Sequence, residues 1–446
     1  MSTSYLRKRT LAETTYPMDT TTTKATSKRR KKQPNKNILL KLRTREIYTG
    51  IHDIFRGTST PEKFRNICLK QSIDIFENGF PKHNCILSSS SATKIIEITS
   101  CYNLLFVLTQ GGVCFAFSRE NCRKICCINR SPDEIIRSLF LNRKNGSLIT
   151  VSVMKQDSFS SLKCYSIPLK YIRNGKPDHG VLLFESECLR WPGFVEFDEV
   201  NGKILTFSAQ NSVYKLWDMK NYELQHIIHD DRVQEIKISP GMIMLIYMRI
   251  GCHLPIKILD IENARCLKEA KIPLYRNKKI EFIEQFGDKL LIKQENETLH
   301  IMDIRTGYVN ALQNAHSLNA TAFVALHESE LLLTESKGRF YIWNLSGSLV
   351  SSFEGNVHSY QDSSNSSLYI IGSQDLLLAF GRKAKNEKEG VIRIVSILTG
   401  QHLSSISDDD STGKNALSEV SAIFYNDERN EIYTGTADGR LHIWSN

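Results

Sequence analysis

Gly435-Thr-Ala-Asp-Gly-Arg-Leu-His-Ile-Trp-Ser-Asn446, the last twelve residues, decide the fold. An Asp438-Gly439 pair is a tight-turn signal between two strands. Leu441-His442-Ile443-Trp444 then alternates apolar and polar, the period of a strand with one face packed. The strand before it is "EIYTGTA", Glu431–Ala437, and before that comes "VSAIFYND", Val420–Asp427. The sequence thus stops on a strand that needs a partner from elsewhere, because an unpaired edge invites aggregation.

Working back through the chain, the same unit recurs. Each copy has an apolar strand, a polar turn, and a strand ending in a large apolar anchor. The anchors fall at Phe117, about Tyr165, Trp217, Leu259, Met302, Trp343, Val395 and Trp444, with spacings of 41–52 residues. A further strand precedes each pair, as in "VQEIKIS", and another follows, as in "YELQHII". Four short strands per repeat of this size make one blade of a β-propeller. The expected fold is therefore all-β, a single propeller of eight four-stranded blades. Seven is the alternative, and the second repeat, with its ambiguous anchor, is the one in question.

The residues "GTADGRLHIW" and the dipeptide Trp217-Asp218 resemble the WD-repeat family. Trp343-Asn344 and Trp444-Ser445 are variants of that dipeptide, and the family's Gly-His pair is missing from every repeat. The resemblance implies a ring closed by a blade shared between the two ends of the propeller. The three strands of the last repeat would then take a fourth from "NCILSSS", Asn84–Ser90. The ring is expected over residues 84–446.

The 446 residues are 41% hydrophobic and 24% charged, an ordinary globular composition. The net charge of +10 is concentrated at one end. Residues 1–45 hold 13 Lys/Arg against two acids, +11, and the rest hold 45 against 46, −1. Residues 1–37 are rich in Thr, Ser, Lys and Arg and are expected to be a disordered basic arm. Its block Lys28, Arg29, Arg30, Lys31 and Lys32 suits an import receptor's acidic groove and points to a nuclear protein. Contact with nucleic acid or chromatin is the alternative use of the arm. Residues 38–83 are expected to hold short helices, with Thr60 as a cap, Pro61 at a first helical position and Gly79 at an end. They would pack on or beside the ring, or bind a partner.

No phosphate-binding loop, nucleophile elbow or His-Glu-x-x-His pattern is present. His226 and His229 stand near Asp230 and Asp231, but no further ligand accompanies them. Of the eleven cysteines, Cys114, Cys122, Cys126 and Cys127 cluster in sequence, yet neighbours on a strand point to opposite faces. No enzyme activity, cofactor or metal is expected, and no run of about 18 apolar residues marks a membrane span.

The expected role is a protein-interaction scaffold working through the propeller faces. Long polar loops at 155–161, 173–180 and 381–390, and Trp191 in "RWPGF", are candidate contacts. WD-repeat substrate receptors of cullin-RING ubiquitin ligases carry Trp-Asp-x-Arg boxes. Trp217-Asp218-Met219-Lys220 and Met302-Asp303-Ile304-Arg305 each match that box but for one residue. The resemblance makes Trp217, Asp218, Lys220, Asp303 and Arg305 candidate adaptor contacts, with receptor function as the alternative.

Overall fold

The structure is a computed structural model. It describes residues 60–76, 93–184, 193–208, 212–275 except 231, 278–311, 322–354 except 327–328 and 337–338, 368–370, 376–407 except 384–385, and 416–446 except 418. Eight four-stranded antiparallel sheets form a propeller. Strand β1 is Cys68–Asp74. Blades one to seven are β2–β5 (residues 95–127), β6–β9 (134–183), β10–β13 (194–228), β14–β17 (233–273), β18–β21 (280–311), β22–β25 (322–354) and β26–β29 (368–407). Blade eight is β30 (Val420–Asn426), β31 (Glu431–Thr436), β32 (Arg440–Ser445) and, on its outside, β1. The first strands of blades one, two and eight touch, so the ring is closed.

Eight apolar cores lie among the described residues, one at each blade–blade interface. This is why each strand alternates: a blade has two faces and each meets a neighbour. Cys126 packs into the core between blades one and two, and Cys127 into that between blades eight and one, on opposite faces as expected.

The anchors share one register position, opposite the second residue of the second strand. Phe117 faces Leu105, Trp217 faces Ile204, Leu259 faces Ile243, Met302 faces Leu290, Trp343 faces Leu332, Val395 faces Leu377 and Trp444 faces Ile432. In blade two that position belongs to Ile167, opposite Leu148, so the anchor lies two residues beyond Tyr165. Each of the three anchor tryptophans donates its indole N–H to a threonine on the second strand. These bonds are Trp217–Thr206 (2.8 Å), Trp343–Thr334 (2.9 Å) and Trp444–Thr434 (3.0 Å).

The closing strand differs from the expectation. Asn84–Ser90 lies outside the described residues, and β1, inside the stretch expected to be helical, completes blade eight. Helix α1 (Thr60–Arg65) starts where Thr60-Pro61 predicts but ends at Arg65, not at Gly79. Ile67 and Leu69 face the core of blades seven and eight, Leu69 sits opposite Trp444 with a bulge beside it, and beyond the bulge Ile73 and Ile75 face the core of blades eight and one. In blades one, three, four, six and seven the fourth strand carries the same bulge just after the residue opposite the anchor, so β1 fills a true fourth-strand position.

Candidate functional site

In each blade the turns between strands one and two and between three and four lie on one face, here called lower. The turns between strands two and three and the links to the next blade lie on the upper face.

The adaptor-box residues are on the lower face, in the turns after the anchors. Asp218 Oδ1 accepts the backbone N–H groups of Lys220 (2.7 Å) and Asn221 (3.4 Å). Asp303 Oδ1 accepts that of Thr306 (2.8 Å). Asp260 and Asn344 hold the same place in blades four and six and do the same work. An acid or amide after the anchor is thus a turn device, satisfying backbone donors that the reversal leaves open. Asp303 also pairs with Lys289, and these bonds hold its carboxyl well below the usual carboxylate range. Trp217 is half-buried against Phe184 at 4.9 Å between ring centres. Lys220 and Arg305 point outward, with Arg305 Nε 3.5 Å from Asp288. The two boxes are on blades three and five, so blade four separates them.

Lys28–Lys32 and Trp191 lie outside the described residues. His226 Nε2 is 2.9 Å from the carbonyl of Glu262. Among the described residues no group of three or more His, Cys, Asp or Glu side chains could hold a metal ion, and no helix is long and apolar enough to cross a membrane.

A surface with no signal in the sequence stands on the upper face of blades four and five. Arg249, in the turn between the second and third strands of blade four, donates to three carbonyls. Nε reaches Gly251 (2.9 Å), Nη1 reaches Lys278 (2.8 Å) and Nη2 reaches Tyr275 (2.6 Å). From below, the buried amide of Gln294 accepts the N–H of Tyr275 (2.9 Å) and donates to the carbonyls of Tyr275 and Lys278 (both 3.3 Å). Lys278 pairs with Glu297. These bonds tie the backbones of two loops together. Met248, Ile250 and Tyr275 are 52%, 69% and 51% exposed there, large apolar groups on a rigid base. His300 packs beside Tyr275, and burial lowers its pKa, which favours the neutral imidazole.

No curated protein matches the chain. Among solved structures, the computationally designed protein Ika8 shares 17% identity over 80% of this chain and 97% of its own, with a TM-score of 0.48. BamB from Moraxella catarrhalis shares 11% over 85% of this chain and 98% of its own, with a TM-score of 0.45. A family model described as a domain of unknown function, DUF7899, matches residues 52–444, a span that takes in α1, β1 and all eight blades, and the chain belongs to that family.

Proposed function

We propose that the protein is a non-enzymatic interaction scaffold of the nucleus, a WD-repeat-like ring that binds a protein partner on the upper face of blades four and five. The observation that carries the reading is the trio Met248, Ile250 and Tyr275, exposed on loops pinned by Arg249 and Gln294. Hot spots are large side chains, and loops that need no reordering when a partner arrives lower the cost of binding, so exposed apolar groups on a pinned backbone favour it. The test is capture of partners from nuclear extract on the full chain and on an Ile250→Asp/Tyr275→Asp variant. Both positions are exposed, so folding should change by no more than about 0.5 kcal/mol. The variant is expected to lose partners that the unmodified protein retains. An identical set of captured proteins discards this surface.

The nuclear address rests on Lys28–Lys32. Replacing the five with alanine is expected to move a fluorescently tagged protein to the cytoplasm, and unchanged nuclear signal discards the assignment. The ligase-receptor reading draws on Arg305 and Lys220, which stand outward on the lower face. The scaffold reading is preferred because Asp218 and Asp303 already serve their own turns.

A further inference from the structure

The lower face of blades one and two carries a second surface, of different chemistry. Helix α2 (Leu169–Arg173) and the turn Pro177–His179 form an insertion between the third and fourth strands of blade two. The insertion leans back over blade one, with α2 packed on β5 (Lys124–Cys127). It presents Lys170, Arg173 and Lys176, all exposed. Arg143 and Lys144, also exposed, come from the first turn of blade two. The Arg173 guanidinium reaches the first turn of blade one, at Tyr102, and Arg143 stands in the corresponding first turn of the adjacent blade two. Glu120, Asp178, Glu199, Asp427 and Glu428 are the nearby acids.

Tyr102 stands among these cations. It is 59% exposed, and the Arg173 guanidinium lies 5.6 Å from its ring centre. Its φ is +52°, the left-handed region, where a bulky aromatic is an outlier. The first turns of other blades fill their left-handed position with Gly146, Gly202, Gly241, Gly287, Glu330 or Asn430. An exposed tyrosine there gains nothing from a core to offset its backbone strain. Phe159, Phe184 and Tyr222 share this region, and Tyr102 joins to it an open ring with a guanidinium beside it. Close by, Tyr171 stacks on His179 at 5.0 Å with Lys170 at 4.9 Å from the Tyr171 ring, a further aromatic held against cations.

We infer that this surface binds single-stranded nucleic acid, with phosphates on Arg143, Lys144, Lys170, Arg173 and Lys176 and an unpaired base stacked on Tyr102. Cations that track a backbone beside an open ring face are the combination such strands require. A duplex hides its base faces, and α2, a helix of five residues packed on β5, is too short to enter a groove. An acidic peptide would use the cations but not the ring. Helix α1 joins the same face through Lys63, whose carbonyl accepts from Asn430 in the first turn of blade eight (2.8 Å).

The test uses the full chain, fluorescent 15-nucleotide oligo(U) and oligo(dT), and polyglutamate of equal charge as competitor, read by anisotropy across a salt series. Tyr102→Asn relieves the backbone, since asparagine tolerates the left-handed region, so its thermal midpoint should hold or rise. It should still weaken oligonucleotide binding about tenfold, within the range for one stacked base. Arg143→Ala/Arg173→Ala should flatten the slope of log K against log salt by about 1.4, since each phosphate contact on a single strand contributes about 0.7. Stronger binding of oligo(U) would name RNA as the ligand, and of oligo(dT), DNA. No binding at low salt, or Tyr102→Asn binding as the unmodified chain does, overturns the inference. So does polyglutamate displacing the oligonucleotide with the same potency from both proteins, which would make the surface a site for acidic protein.

Discussion

A chain beginning at residue 77 should fail to form the ring, whereas one beginning at residue 59 should fold as the full protein does. The segment between them supplies α1 and β1. Phe64, Ile67 and Ile75 are fully or nearly fully buried, and Phe64 packs against Tyr425, their rings tilted and 5.5 Å apart, inside the core shared by blades seven and eight. Each such side chain contributes about 1.5–3 kcal/mol by burial. Their sum approaches the whole stability of a folded domain, about 5–15 kcal/mol. Removing β1 also uncovers β32 along its length, from Cys68 opposite Ser445 to Asp74 opposite Arg440. That would leave Trp444 at a bare, apolar edge, a template for aggregation. The comparison is size-exclusion chromatography and denaturant unfolding of residues 59–446 and 77–446. The shorter chain should elute as aggregate or lack a cooperative transition. A monomer with an unchanged midpoint would show that β1 is dispensable and that closure is achieved another way.

The repeat was legible because its signals are local. Trp217, Trp343 and Trp444 each end an alternating strand, and Asp218, Asn344 and Ser445 mark the turn or strand end that follows. In blade two the residue after the anchor is Pro168, and the chain runs directly into α2. The turn signal is missing, so the anchor was read two residues early, at Tyr165 instead of Ile167. The closing strand was hidden for another reason. Its alternation is split by a bulge between the pairs Ile67/Leu69 and Ile73/Ile75, which face opposite ways, and its partner is about 370 residues away. A nearby Thr-Pro helix start and a downstream glycine make a competing local case. The upper platform had no signal at all. Arg249 is one cation among many in the sequence, and its value lies in carbonyls of a loop some 26 residues on, which the ring alone brings within reach. The Trp-Asp boxes show the converse: a motif visible in sequence whose acid, once placed, proves to cap its own turn.

Removing the carboxylate of Glu431 should be among the most damaging single changes in the ring. Glu431 opens β31 in blade eight, and Arg119 follows the third strand of blade one, so their pair spans the seam where the ring closes. Arg119 Nε donates to Glu431 Oε2 at 2.7 Å and to the Tyr433 hydroxyl at 3.0 Å, and a second guanidinium nitrogen engages Oε1. Tyr433 donates to the same carboxylate. The two charged side chains are 14% and 10% exposed. Burial works against the guanidinium charge, but the Glu431 carboxylate outweighs it and holds Arg119 above its ordinary pKa. Glu431→Ala would leave that cation and the Tyr433 hydroxyl in the seam without their acceptor. The expected loss is about 3 kcal/mol, the scale for breaking a buried ion pair from one side. Arg119→Lys should recover less than a true pair, because an ammonium cannot reproduce the two-pronged contact. Arg119→Met/Glu431→Leu is the informative partner. With both charges gone nothing is stranded, and the double variant should be within about 1 kcal/mol of the unmodified protein. With the single variants Arg119→Met and Glu431→Leu, the unmodified protein and the double variant close a cycle whose unfolding free energies give the coupling. If Glu431→Ala unfolds at the same midpoint as the unmodified chain, the seam is held by its apolar core alone. If instead the double variant is as unstable as the single, the loss comes from packing around the side chains and not from the stranded charge.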